Sequence, residues 1–159
     1  MSDAQTPQQL FDPTAYLDLT LTDPTEKRPP LPPGDYTAIV GEVTARKWQG
    51  KQDPTKQGIA WDIPLKIQVP SGFQDALKLP PEITLTDSCM LDLTPQGLFD
   101  NGVGKNRRVR TYREALDMNK PGDTFGPRQM QGRLVTVKVE HELYNGEPVE
   151  RVRGVARAG

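Results

Sequence analysis

The chain has 159 residues, with Gly 14 and Pro 16, a hydrophobic fraction of 35% and a formal net charge of −1. That length fits one ordinary domain with tails and a core that needs no staples, and so many turn formers argue against a helical bundle. The absence of a long apolar run excludes a helical membrane span, and the lone Cys89 excludes an internal disulfide framework or a multi-cysteine zinc site.

Charge is spread unevenly: residues 1–30 carry −3, residues 31–104 another −3, and residues 105–159 carry +5. A basic last third beside an acidic start points to a local polyanion site and not to a globally basic coat. No basic segment followed by an apolar stretch opens the chain, so no secretory leader is expected and the expected location is the cytoplasm.

Residues 1–33 read as a flexible, proline-rich acidic arm, and residues 34–159 as the folded, nucleic-acid-binding domain. Asp12-Pro13, Asp23-Pro24, Pro29-Pro30 and Pro32-Pro33 break any helix in the arm. Leu17, Leu19 and Leu21 alternate with polar neighbours, a pattern that adds a strand to a sheet edge or docks on a partner.

From Gly34 onward the pattern is β. Residues 35–48 are rich in Tyr, Ile, Val and Thr and read as one long strand, with Gly41 as a point where it bends. A polar loop over 49–58 leads to a second strand, in which Ile59, Trp61, Ile63, Leu65, Ile67 and Val69 share one face. Pro64 removes a ladder donor there, which argues for an edge or a bulge. Residues 82–93 form the third strand. The period then changes, and Val109, Tyr112, Ala115 and Leu116 line one face of a helix over about 106–118, with Arg113 placed to pair with Asp117. Val135, Val137 and Val139 mark a fourth strand, and 148–156 a fifth, joined through Asn145-Gly146, a strong hairpin signal. The fold expected is mainly β: a five-stranded OB barrel with one helix between strands three and four.

Enzyme signatures are lacking. His141 and Cys89 fall on different predicted strands, and Asp87 and Asp92 lie on opposite strand faces. Gly102-Val103-Gly104-Lys105-Asn106 lacks the first glycine and the hydroxyl residue of a phosphate loop. The chain is read as a non-enzyme with no cofactor and no metal site.

Binding residues are better represented. Arg46, Lys47, Trp48, Lys51 and Lys56 surround the first hairpin, and unpaired bases call for exposed rings with cations between them. Trp48 ends a strand at a lysine-bearing loop, which suits stacking, although a residue closing the barrel end looks the same. Trp61, in phase with the apolar face, reads as core. A second cluster holds Lys105, Arg107, Arg108, Arg110 and Arg113, a run that is most often a solvated helix surface. Arg151 and Arg153 share one strand parity with Val149 and Val155. Either they line an open groove with Lys138 and Tyr144, or they pair across strands with Glu140 or Glu142.

These residues carry a family likeness. Leu31-Pro32-Pro33-Gly34-Asp35-Tyr36, Gln131-Gly132-Arg133-Leu134-Val135-Thr136-Val137, Glu142-Leu143-Tyr144-Asn145-Gly146 and Val149-Glu150-Arg151-Val152-Arg153-Gly154 resemble the OB-fold single-stranded-DNA-binding proteins of bacteriophages. The likeness spans about 31–157. It implies a non-catalytic coat that protects single-stranded DNA, without strong sequence preference, during phage DNA replication or recombination. Replication or recombination proteins, and a second copy of the chain, are the further partners it implies. Two other readings stand beside it: a phage structural or assembly module, and a protein-binding module that inhibits a host enzyme.

Overall fold

The computed structural model describes residues 11–159. Six antiparallel strands make one open sheet: β1 (Gly34–Val40), β2 (Thr44–Gln49), β3 (Gln57–Gln68), β4 (Glu82–Met90), β5 (Leu134–Tyr144) and β6 (Glu147–Arg157). Three helices are interspersed: α1 (Ser71–Leu77), α2 (Arg107–Ala115) and α3 (Pro127–Met130). None is long and apolar enough to cross a membrane.

The single long first strand of the sequence reading is two strands. The ladder between β1 and β3 ends at Val40 opposite Leu65, and that between β2 and β3 resumes at Thr44 opposite Asp62. Between them the Gly41 N–H donates to the Pro64 carbonyl at 2.8 Å. A Cβ on Gly41 would lie 3.2 Å from the Pro64 ring, so the close crossing favours glycine. Pro64 therefore marks no edge; of the two expected readings the irregularity is the one present, since residues 41–43 face only Ile63 and Pro64, one extra residue as in a bulge. It sits in a central strand where the facing ladder is interrupted and no donor is required.

β3 pairs with β4 from Ala60 to Gln68, and β1 pairs with β5 along Gly34–Ile39. β5 and β6 form the hairpin that Asn145-Gly146 announces, both turn residues having positive φ. A register shift after Lys138 makes Arg153 the extra residue of a bulge. That bulge explains the odd parity of β6: Val152 and Val155 face Val139 and Val137, while Arg151 and Arg153 stay exposed. The inward face packs Leu31, Ile63, Leu65, Ile67, Met130, Val135 and Val137, all fully buried.

α2 starts where the sequence places it but ends early. The Met118 N–H reaches the Arg113 carbonyl at 2.7 Å and the Asp117 N–H the Glu114 carbonyl at 3.1 Å, with Asp117 at φ 55. This is a Schellman closure with aspartate in the place usually held by glycine. Arg113 accordingly does not pair with Asp117, which instead meets Arg157 at 2.9 Å and Lys120 at 3.4 Å. α1 and α3 were not foreseen, because seven and four residues are too few to display a helical period.

Within the arm, Pro13–Asp18 is a 3₁₀ turn, and Leu17, Leu19 and Leu21 are exposed. The alternating leucines thus form no strand here; Pro13 and the Asp12 cap, which accepts the Thr14 N–H at 3.1 Å, favour a helical start. The last part of the arm is fastened to β5 and β6. Arg28 grips Glu150 with both terminal nitrogens, the Leu31 N–H donates to Glu150 at 2.6 Å, and His141 Nε2 donates to the Leu31 carbonyl at 2.7 Å. Lys27 pairs with Glu147 nearby.

β3 pairs β1 and β2 along one side and β4 along the other, so β4 and β6 are two edges of the sheet, with no ladder between them among the described residues. Arg108 spans the gap. Its guanidinium forms two bonds to the Asp87 carboxylate of β4, at 2.7 and 3.1 Å. It also donates to the Val152 and Arg153 carbonyls of β6, at 3.2 and 3.3 Å. Tyr112, from the next turn of α2, donates its hydroxyl to Asp87 at 2.6 Å. Burial, and then the charge of Asp87, hold that phenol well above its ordinary pKa, so it remains a donor.

Arg108→Ala leaves Asp87 buried with one neutral partner. It should cost stability near the low end of about 3–5 kcal/mol, since the guanidinium is partly solvated, and a urea midpoint no lower than that of the parent would contradict the bridge. Glu150 supplies a second test. Its burial alone would raise its pKa, but the Arg28 bonds and the Leu31 N–H outweigh this and hold it below the usual range. A lowered carboxylate contributes fully above its unfolded value of about 4.3, and the contribution fades as pH falls through the lower folded value. The Leu31 amide resonance should therefore titrate with a midpoint below about 4.3; a midpoint at or above it would exclude the clasp.

Candidate nucleic-acid interface

β2 is exposed along its length except at the half-buried Trp48. The loop from β2 to β3 is internally braced: the Gly50 N–H donates to the Lys56 carbonyl at 2.8 Å, Gln49 to the Pro54 carbonyl at 2.8 Å, and the Thr55 N–H to Asp53 at 3.1 Å. Lys51 and Lys56 are exposed on this loop, and Lys47 is exposed on β2. None of the three enters an ion pair among the described residues.

Strand alternation separates the hairpin residues. Trp48 lies opposite Gly58 and shares its face with Arg46, whereas Lys47 lies opposite Ile59 on the face of Trp61. The Trp48 ring rests on the bare backbone of Gly58, where a Cβ would come within 2.8 Å of Nε1. That Nε1 is buried without an acceptor, so the half-buried ring is held by shape alone. Trp48 is thus neither sealed in the core nor freely displayed.

Arg46 is not a free phosphate binder. Its Nε donates to Asp62 at 2.8 Å, and the Ser88 hydroxyl donates to the same carboxylate at 2.7 Å. Ser88 first, and Arg46 with it, hold Asp62 below the ordinary carboxylate pKa. Arg108, also expected in the interface, is consumed by the Asp87 bridge. On the β5–β6 hairpin Arg151 meets Glu142 at 3.0 Å and Arg153 approaches Glu140 at 4.0 Å, the cross-strand alternative of the sequence reading. Lys138 is exposed opposite Gly154, and Tyr144 is 63% exposed beside the turn. Arg107 is exposed on the first turn of α2 and makes no ion pair among the described residues.

Trp61 packs against the hydrophobic core, as expected, but is not sealed inside it. It is half-buried at the end of the apolar stripe of β3 and stacks on Phe99, centroids 6.5 Å apart and planes 16° from parallel. A groove of about 1010 Å³ opens beside this pair, between the loop that follows β4 and helices α2 and α3; Lys105 and Arg107 line it. Phe99 carried no signal in the sequence, because it belongs to no periodic element. The sole thiol is buried, and that burial, and next the charge of Asp87, push Cys89 up to about 12.

Compared with known proteins, the chain matches no family model and no curated protein.

The seat of Trp48 is testable. In a Trp61→Phe background, Gly58→Ala should expel the indole, red-shifting its emission and raising acrylamide quenching; an unchanged spectrum would show that the ring has no such seat.

Proposed function

We propose that the chain is a non-catalytic binder of single-stranded DNA, with little sequence preference, serving phage replication or recombination. The observation that carries the reading is a hairpin with unpaired Lys47 on one face, the half-buried Trp48 ring on the other, and unpaired Lys51 and Lys56 in the connecting loop. Cations there neutralise phosphates and release counterions, while a ring accepts the π-face of any base. Connectivity supports it as well. With β1 and β2 counted as one bent strand, and the short α1 and α3 set aside, the order strand, strand, strand, helix, strand, strand matches that of a five-stranded OB barrel, whose first loop commonly contacts oligonucleotides. The sheet itself is open, and Arg108 bridges β4 and β6 where a closed barrel would carry a ladder.

The ion-paired arginines of β6 lower the number of phosphates available. Three lysines, with Arg107 as a fourth, give a slope of log affinity against log salt of about −2 to −3. A second reading, a protein-binding module, draws on the exposed Phe11, Leu17 and Leu21 of the arm.

Mobility shifts with single- and double-stranded oligonucleotides at several salt concentrations decide between them. The proposal expects tighter binding of the single strand and the slope above. Absence of any shift, or a preference for the duplex, would overturn it and leave the protein-binding reading.

A further inference from the structure

We infer that the groove between the β4–α2 loop and helices α2 and α3 is a separate stacking slot for nucleotides of a single strand, with Trp61 and Phe99 as its platform and Lys105 and Arg107 as its phosphate contacts. The inference rests on the single-strand reading above but concerns a different surface from the β2–β3 hairpin.

Three observations converge on this groove. The first is its aromatic wall. Trp61 and Phe99 come from distant parts of the chain, yet their rings lie nearly parallel, and Phe99 remains 37% exposed. A partly exposed stacked pair offers a flat apolar surface on which a further planar ring extends the stack. Across the groove, Arg113 sits over the Phe125 ring at 5.3 Å, a second flat surface of cation and ring together.

The second observation is charge. Arg110 is held by Glu114 and Arg113 donates to the Met118 carbonyl, so these two are engaged within the protein. Lys105 and Arg107 are exposed at the groove and make no ion pair among the described residues. Exposed rings beside uncompensated cations match an anionic ligand that carries planar rings. A polynucleotide single strand has both parts, and a duplex hides its ring faces within its own stack. The groove volume of about 1010 Å³ reaches the top of the ~300–1,000 Å³ range of small-molecule sites, leaving room for more than one nucleotide.

The third observation is rigidity at the base of the loop. The Asn106 N–H donates to the Asp92 carboxylate at 2.6 Å, and its side-chain oxygen accepts the Asp92 N–H at 2.8 Å. Its side-chain amide donates to the Asp92 and Asp100 carbonyls, each at 2.9 Å. Asn106 is buried, so these bonds are sheltered from water. The loop that presents Phe99 and Lys105 is thus clasped before any ligand arrives, and less ordering cost falls on binding.

The test uses the full chain. Trp48→Phe leaves Trp61 as the sole tryptophan, and oligo-dT is added until mobility shifts report saturation. Expected are quenching of Trp61 in step with the shift, a roughly 5- to 150-fold affinity loss in Phe99→Ala, and a salt slope shallower by about 0.7 in Lys105→Gln. Lys105 is exposed, so its substitution reads the groove even where Phe99→Ala weakens the fold. A mobility shift with silent Trp61 fluorescence and an unchanged Lys105→Gln slope would overturn the slot and leave the single-strand reading intact. Quenching by dTMP at the affinity of oligo-dT would also overturn it, since the occupant would then be a mononucleotide. No mobility shift with the unaltered chain would remove the reading and the slot together.

Discussion

One buried carboxylate organises this molecule. Asp87 lies on β4, an edge of the open sheet, and a charge so placed is tolerated only when paired and hydrogen-bonded. Its partners, Arg108 and Tyr112, are both on α2, and the same guanidinium reaches two carbonyls of β6 at another edge. Three elements with no shared ladder are thereby held in one arrangement. The seat of α2 also fixes where Arg107 and Val109 stand, and hence one side of the groove. Arginine suits this position because its planar fork bonds the carboxylate at two points and still has donors left.

Charge follows a related division. The arginines of the sheet faces and of α2 are largely consumed within the protein: Arg46 by Asp62, Arg108 by Asp87, Arg110 by Glu114, Arg151 by Glu142. Antiparallel register makes this unavoidable on β5 and β6, where Glu140 lies opposite Arg151 and the bulge turns Arg153 toward the same carboxylate. Half of the twelve cations of the last third enter ion pairs among the described residues, but pairs within the segment are already counted in its net charge, so the excess survives them. Cations without an ion pair among the described residues include Lys47, Lys51 and Lys56 of the β2–β3 hairpin and Lys105 and Arg107 at the start of α2. Exposed arginine pairs of this kind contribute little stability, but they withdraw their charge from any approaching polyanion.

Much of the local structure was legible in the residues. Alternation in β3, the valines of β5, the Asn145-Gly146 turn and the apolar face of α2 all express backbone geometry over a few neighbouring positions. The site was legible less evenly. Lys47, Lys51, Lys56 and Arg107 stand exposed as their polar surroundings suggested, whereas Arg46 and Arg108 are spent on carboxylates and Trp61 lies at a groove wall.

What the chain alone determined is thus the strands, the hairpin turn and the helical face, because periodicity and turn chemistry act between residues close in sequence. Only the folded structure decided the break between β1 and β2, the bulge at Arg153, the fastening of Leu31 and the stack of Trp61 on Phe99. Each of these depends on groups brought together from afar, as Arg108 and Asp87 are across 21 positions and Leu31 and His141 across 110. Pairing at such separations is set by strand register and available volume, which no local pattern encodes.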